Sequence, residues 1–563
     1  MSFLKKYKSV LFAAILFLLP FVHISYGVGL TDIGYNLANY ENFPNINATW
    51  MNSTWLSLAF GKVLTFLPFG QTMLGISIIC TIVFSTVVVL FFFWLKKYFN
   101  ETAVFFAELL AVLLSWCPKV IIYHYSGYFL FSAAAVLLCL GLEKEKNLYV
   151  ALSGAVLGIS VLARFPNIVQ ASLGAVIILY WIITKKNSLK QIGIMAGSFL
   201  VVFGAQVGAF ELIGGKGTYL SMINGLSQIS DVNEGYSPLS MLYLPYTEYK
   251  GRALYFGAIV IGTVLCVGLF YLFKSKILKR LVLLCDALGV AGILLLMFLR
   301  WEFITDYNSL TCMYRPAIVF LMLSLSWFAI TAFNKKETLL YRLLAAACAI
   351  IILITPIGSN NGLYTAVNNL FLVAPVLFGI LYKKIDFSKA KAVSQISVAV
   401  VVLLLLIQGT GMHFTYKFQD SPCKKDNYET VSFGRLKGMK CASYLRPDLE
   451  ELYSFLNMDG FVGGEAIIYG YIPGIAYDMS LSNGISHIWP DLDSYPAADL
   501  EKELSGLSLE TKKPIALYQT GSLNFDTLEV EENEKSDLLS SYLNDNGYTV
   551  VFQNDSFTVA VAE

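Results

Sequence analysis

The sequence predicts an α-helical polytopic membrane protein of about thirteen transmembrane helices, with a small C-terminal extracytoplasmic α/β domain. Three observations predict it. Only 14% of the 563 residues are charged and 56% are hydrophobic, whereas a soluble domain carries about 25% charged residues. Apolar runs recur at roughly the 20-residue length that crosses the hydrocarbon as a helix. The charge balance also changes sign along the chain. Residues 1–410 hold 29 Lys/Arg against 15 Asp/Glu, and residues 411–563 hold 11 against 24. The boundary near 410 separates a transmembrane domain, 1–410, from a water-facing domain, 411–563.

The apolar runs place helices at 9–28, 73–95, 101–118, 127–142, 148–163, 167–184, 191–212, 252–273, 281–300, 316–333, 339–356, 362–382 and 393–410. Alternate connections collect the cations. They are Lys5, Lys6 and Lys8; Lys96 and Lys97; Lys144 and Lys146; Lys185, Lys186 and Lys190; Lys274, Lys276, Lys279 and Arg280; Lys335, Lys336 and Arg342; and Lys383, Lys384, Lys389 and Lys391. The positive-inside rule makes that side cytoplasmic. The N-terminus is then inside and the acidic C-terminal domain outside. Residues 1–27 have the basic start and apolar core of a secretory signal. The apolar run is long and no A-x-A site precedes Gly27, so an uncleaved anchor is expected.

The outer surface comprises a long loop at 29–72, a connection at 118–126, a turn at 164–167, a second long loop at 213–251, and connections at 301–315 and 357–361. Loops this long are functional or disordered, and their Tyr, Trp and Phe content argues against disorder. In the C-terminal domain, 447–457 and 536–544 read as helices, and 466–469 and 515–518 as buried strands. Residues 548–553 and 556–562, joined by Asn554-Asp555, read as a hairpin. Cys423 and Cys441 share the outer compartment, where a disulfide is chemically permitted. No basic stripe with interleaved aromatics suggests nucleic acid. No Cys/His cluster has zinc spacing, and no phosphate-cradling G-x-x-x-x-G-K-[ST] loop is present.

Four local features carry chemistry. Leu30-Thr-Asp32-Ile-Gly34-Tyr-Asn36 begins where the first helix emerges. A partly shielded carboxylate there can take a proton from a hydroxyl or hold a metal; the plain alternative is an acid that ends a helix. Glu41, nine positions on, and Asp231, Glu234, Glu248, Glu302 and Asp306 face the same side and could assist it. The second feature is Ala163-Arg164-Phe-Pro166-Asn167, which puts a cation between two apolar spans. It either snorkels or grips a lipid phosphate through paired hydrogen bonds. The third, Pro118-Lys119-Val-Ile-Ile-Tyr123-His124-Tyr125, offers Lys119 and His124 as further donors. Arg315 opens another helix from outside. The fourth, Gly358-Ser359-Asn360-Asn361-Gly362, is a polar turn suited to sugar hydroxyls, although a bare turn needs the same residues. Tyr35, Asn36, His124, Asn167, Asn360 and Asn361 are the candidates for substrate contact. Asp491-Leu-Asp493 is the outer D-x-D and reads as a solvated loop. Glu108, Asp286 and Glu211 are carboxylates in or near spans, which mark ion or substrate paths by default.

The organisation resembles the GT-C membrane glycosyltransferases, among them protein O-mannosyltransferases, aminoarabinose transferases and oligosaccharyltransferase catalytic subunits. It does so in its inside N-terminus, its acidic residue directly after the first helix, its many following helices and its outer α/β domain. At residue level the resemblance rests on Asp32 in Asp-Ile-Gly-Tyr, on 163–167, and on the terminal Gly547-Tyr-Thr-Val-Val hairpin. It implies a sugar donor on polyprenyl phosphate or pyrophosphate, and transfer to a lipid, glycan or protein acceptor on the non-cytoplasmic face. Asp32 takes the part of the catalytic base, and Arg164, Lys119 or Arg315 meets the leaving phosphate, with inversion at the anomeric carbon. Two departures stand out. Residues 119–126 hold no second acid, and no acid adjoins Asp32. They favour a metal-independent mechanism over one using Mg or Mn. A lipid-linked glycan transporter or flippase, a surface-polysaccharide polymerase or ligase, and a receptor-like protein are the rival readings. The first should depend on intramembrane polar residues, and no repeated halves support it.

Overall fold

Apolar length sets the helices and polar side chains set their ends. The computed structural model describes residues 2–115, 120, 123–232, 237–307, 309–382, 386–415, 427–507, 513–523 and 533–562. Within them, eight helices are long and apolar enough to cross a bilayer: Met73–Leu95, Tyr123–Glu143, Phe165–Thr184, Leu189–Gly214, Pro238–Leu272, Lys276–Leu299, Tyr314–Phe333 and Lys391–Thr415. Shorter apolar helices lie at Tyr7–Phe21, Trp55–Thr65, Asn147–Ala163 and Leu339–Ile354. Thr72 caps the first of the eight by accepting the Gly75 N–H at 3.2 Å. Asn100 caps Glu101–Leu114 by accepting from Thr102 and Ala103 at 3.0 and 3.2 Å. Each cap satisfies donors that a helix start leaves without partners.

Several segments differ from the periodic reading. The first α-helix stops at Leu18 and passes through a 3-10 turn holding Pro20. The run at 167–184 opens as a 3-10 helix, Phe165–Gly174, before Ala175–Thr184 becomes α-helical. The run at 362–382 is broken into Tyr364–Asn368 and Val373–Leu381. The helix expected from 252 begins at Pro238, where proline suits the first helical position, and Ser237 caps it by accepting the Ser240 N–H at 3.1 Å.

The two long loops are folded. Residues 29–72 contain the helices Asp32–Asn42, Ala48–Ser53 and Trp55–Thr65. Residues 213–251 contain Thr218–Val232, which packs on Ala48–Ser53. Asn47 caps Ala48–Ser53 by accepting the Trp50 N–H at 3.1 Å, and Asn52 is buried.

The C-terminal region carries a five-stranded sheet ordered Ser482–Asn483, Glu465–Tyr469, Ile515–Gln519, Phe557–Ala562, Tyr548–Gln553. The first three strands are parallel and the last two antiparallel. Ala466–Tyr469 and Ile515–Tyr518 are buried throughout, as parallel strands covered on both faces should be. Helices Leu445–Met458, Ala497–Leu507 and Glu534–Asp545 accompany the sheet. Cys441 is buried in the strand Lys440–Ala442; Cys423 lies outside the described residues.

A seam of backbone hydrogen bonds joins this region to residues between Ser25 and Asn47. Gly474 N–H donates to Leu30 O at 2.7 Å, Gly27 N–H to Lys440 O at 2.8 Å, Lys440 N–H to Ser25 O at 2.6 Å, and Asn47 N–H to Ser486 O at 2.8 Å. The C-terminal region therefore lies directly against the segment that holds Asp32.

Candidate functional site

Asp32 is the first residue of the helix Asp32–Asn42 and is half-buried. A carboxylate at a helix start sits at the positive end of the helix dipole, which favours the anion, the form a base needs. The next turn is tightly packed. Gly34 N–H donates to Gly29 O at 2.8 Å, and Gly34 lies against the Gly474 backbone. Asn36 is turned inward and donates from Nδ2 to Asp32 O at 2.7 Å.

From this helix a row of rings runs to Arg164. Tyr35 lies 6.0 Å from Trp50, Trp50 lies edge-on to Tyr123 at 5.4 Å, and the Arg164 guanidinium stands 5.3 Å from the Tyr123 ring centre. These contacts cross three elements: the first-loop helices, the start of Tyr123–Glu143, and the turn after Ala163. Arg164 also donates to the Gly358 carbonyl. That contact ties it to the turn carrying Asn360 and Asn361, both exposed. The far end of the turn is held by Glu248, which accepts the Leu363 N–H at 2.6 Å and the Tyr314 hydroxyl.

Beneath the turn is a cleft lined by His124, Tyr125, Tyr128, Asn361, Tyr364, Thr365 and Asn368, with an envelope of about 270 Å³ including open solvent. Its enclosed part has room for about one water. The His124 ring is near-parallel to Tyr128 at 6.1 Å and 4.2 Å from Tyr123. His124 Nδ1 is buried with no hydrogen-bond partner among the described residues. Arg164 is close enough to act electrostatically on both His124 and Tyr128. Arg164 and Asp32 do not line the cleft itself.

Comparison with protein-family models, characterised proteins and solved structures gives no match. The chemistry must be read from the residues in place.

The other expected residues divide. Glu41 is gripped by both nitrogens of Arg435, at 2.6 Å for Nη2 to Oε1, and Arg435 lies 4.9 Å from the Tyr477 ring. This is a latch between the first loop and the C-terminal region, which leaves Glu41 poorly placed for proton transfer. Arg315 is set apart, sharing Glu302 with Arg252 at 3.1 Å each. Asn167 is buried and donates to Ser160 O at 3.0 Å, packed against Gly127, so it closes a helix junction. Lys119 and Glu234 lie outside the described residues. Glu211 accepts from Gly217 and Tyr219 and stabilises a turn. Asp286 accepts from Ser397 at 2.8 Å, and neither Glu108 oxygen has a hydrogen-bond partner among the described residues. Among those residues no group of three His, Cys, Asp or Glu could hold a metal ion. Asp491 is half-buried rather than freely solvated: burial raises its pKa, although Tyr469 and Lys535 offset part of that.

Sequence reasoning missed His487, Trp489 and Trp50. No local pattern flags them: His487 and Trp489 meet Tyr35 from more than four hundred positions away, and Trp50 acquires its place only between Tyr35 and Tyr123. His487 is buried, near-parallel to Tyr495 at 4.4 Å, and receives the Trp489 N–H on Nδ1 at 3.2 Å. The neutral ring therefore carries its proton on Nε2, which faces the Tyr35 hydroxyl at 3.4 Å. Burial pushes the imidazole down to about 3, and the Lys535 charge adds to that. A depressed folded pKa gives stability that is complete above the ordinary value near 6.5 and is lost as pH falls toward 3. Thermal midpoints of the full chain in detergent should fall between about pH 7 and pH 4.5, with this one site contributing at most about 1.4 kcal/mol per pH unit. His487→Gln should flatten the slope. An identical slope in the variant would remove His487 as its source.

Proposed function

We propose that the chain is a glycosyltransferase of the outer membrane face, moving a sugar from a polyprenyl-phosphate or pyrophosphate donor to an acceptor hydroxyl with inversion. Thirteen crossings, a cytoplasmic N-terminus and an extracytoplasmic C-terminal domain are part of that reading and follow from the alternation of cations. The observation that carries it is the row Tyr35–Trp50–Tyr123–Arg164. It runs from the helix that begins at Asp32 to a cation whose described hydrogen-bond acceptor is a neutral carbonyl. A phosphate is a stronger acceptor for a guanidinium than a carbonyl.

The acceptor oxygen attacks the anomeric carbon as the bond from that carbon to the phosphate oxygen breaks. Its proton passes to Asp32. The lipid phosphate leaves as the anion, with its charge met by Arg164. A single displacement inverts the centre. Lipid, glycan and protein acceptors all fit this chemistry. Metal independence is retained from the lone acid at Asp32; a chelator that abolishes transfer, with Mg or Mn restoring it, would reverse that choice.

The test is transfer from radiolabelled polyprenyl-phosphate sugars by the purified chain in liposomes. Arg164→Ala should raise the donor KM by about 10- to 100-fold, the worth of a charge-assisted hydrogen bond. Absence of transfer from every lipid-phosphate sugar, in liposomes supplied with membrane-extract acceptors, would end the reading.

A further inference from the structure

We infer that the His124 cleft seats the transferred sugar, and that this sugar is an uncharged pyranose. The inference rests on the glycosyl-transfer reading and narrows it to a substrate class.

The lining supplies what an uncharged sugar ring needs. Tyr128 and Tyr364 bring aromatic rings and Asn361 an amide; Asn368 and Thr365 complete the lining while donating to Tyr364 O at 3.1 Å and Gly362 O at 2.9 Å. Among the described residues no carboxylate lines the cleft, so a sugar ammonium would meet no counter-charge from that lining and would lie near the Arg164 guanidinium. Among them no lysine or arginine lines it either, so a uronate would lie against neutral rings and amides. Burying an unpaired charge is far costlier than burying a hydroxyl that finds a hydrogen bond. His124 Nδ1 is a buried group of the lining with no hydrogen-bond partner among the described residues, and a ring hydroxyl is the right partner for it. Arg164 stands just outside, beside His124 and Tyr128, where the phosphate of a sugar seated in the cleft would emerge.

The cleft must open to admit the ring, and its roof is built to allow this. Asn361 sits in a turn bounded by Gly358 and Gly362, at φ +94° and +55°, backbone conformations that glycine adopts without the steric cost other residues carry. One end of the turn is held through the Gly358 carbonyl by Arg164. A donor phosphate that takes the guanidinium releases that end. Phosphate binding and opening of the sugar seat are thereby coupled.

The experiment measures displacement of a fluorescent polyprenyl phosphate from the full chain in nanodiscs. Competitors are unlabelled polyprenyl phosphate and the same lipid carrying glucose, mannose, galactose, N-acetylglucosamine, 4-amino-4-deoxyarabinose or glucuronate. At least one neutral sugar should bind about tenfold or more tighter than the bare lipid phosphate, and the two charged sugars should not. In Asn361→Ala and His124→Gln that gain should shrink by about three- to tenfold while affinity for the bare lipid phosphate stays within about twofold. Asn361 is exposed, so its variant does not threaten the fold. If the bare lipid phosphate fails to bind, the glycosyl-transfer reading falls and the inference with it. If it binds but no neutral sugar adds affinity, if a charged sugar adds as much, or if the variants leave the gain intact, the sugar seat alone is overturned.

Discussion

Asp32→Asn is expected to cut the rate of sugar transfer by about 100- to 10,000-fold, the range a positioned general base supplies, while leaving the fold and donor binding in place. The substitution keeps shape and hydrogen-bonding capacity and removes only the ability to accept a full proton. Asn is also well tolerated at a helix start. The lost charge at the N-terminus of Asp32–Asn42 costs about 0.3–1 kcal/mol through the helix dipole, too little to unfold a chain of this size. The measurement is a single-turnover rate beside a donor Kd. A large fall in rate with Kd unchanged within about threefold assigns the proton step to Asp32. A wild-type rate would strip Asp32 of that role and leave Arg164 a phosphate-binding residue with no reaction attached. A collapse of both numbers would point to damaged structure, and thermal midpoints separate that case.

Much of the membrane part was legible because the bilayer imposes a simple rule. Helices at Met73–Leu95 and Tyr314–Phe333 fall where apolar length alone puts them. The errors lie where the chain makes its own solvent. Residues 29–72 read as a loop because no window there is long or apolar enough to span. They fold into three helices because the C-terminal region and Thr218–Val232 bury them. Two buried strands of the C-terminal sheet were legible from apolar runs and two from a hairpin signature, but the short edge strand Ser482–Asn483 and the contact with the first loop were not. The site shows the same division. Asp32 and Arg164 were visible as charges in apolar company, and the turn 358–362 as a Gly- and Asn-rich signal. Their neighbours were not visible. Glu41 looked like a second acid beside Asp32 and is the partner of Arg435, 394 positions away. His487 carried no signal at all, since a histidine acquires its environment only in three dimensions.

Gly34→Ala is the second large effect, and two rules predict opposite signs for it. Gly34 lies inside Asp32–Asn42 with no left-handed φ. Helix propensity alone says alanine should stabilise this position by about 1 kcal/mol. Packing says the reverse. A Cβ built on Gly34 would lie 2.3 Å from Gly474 Cα and 2.5 Å from Gly29 O. Both are backbone atoms, so no side-chain rotation relieves the clash. Either the helix start or the Gly474 segment must move, and movement breaks the Gly474 N–H to Leu30 O bond of the seam. Overpacking costs about 1–3 kcal/mol where side chains can yield, and backbone on both sides puts this case at or above the top of that range. Gly193→Ala is the matched control: it lies within Leu189–Gly214 with nothing near its would-be Cβ, so propensity should act there unopposed. The expected result is a thermal midpoint lowered in Gly34→Ala and unchanged or slightly raised in Gly193→Ala, with protease cutting near residue 474 accelerated only in the former. Equal midpoints would mean that the first loop and the C-terminal region do not touch at Gly34. The half-burial of Asp32 beneath that region would then lose its cause.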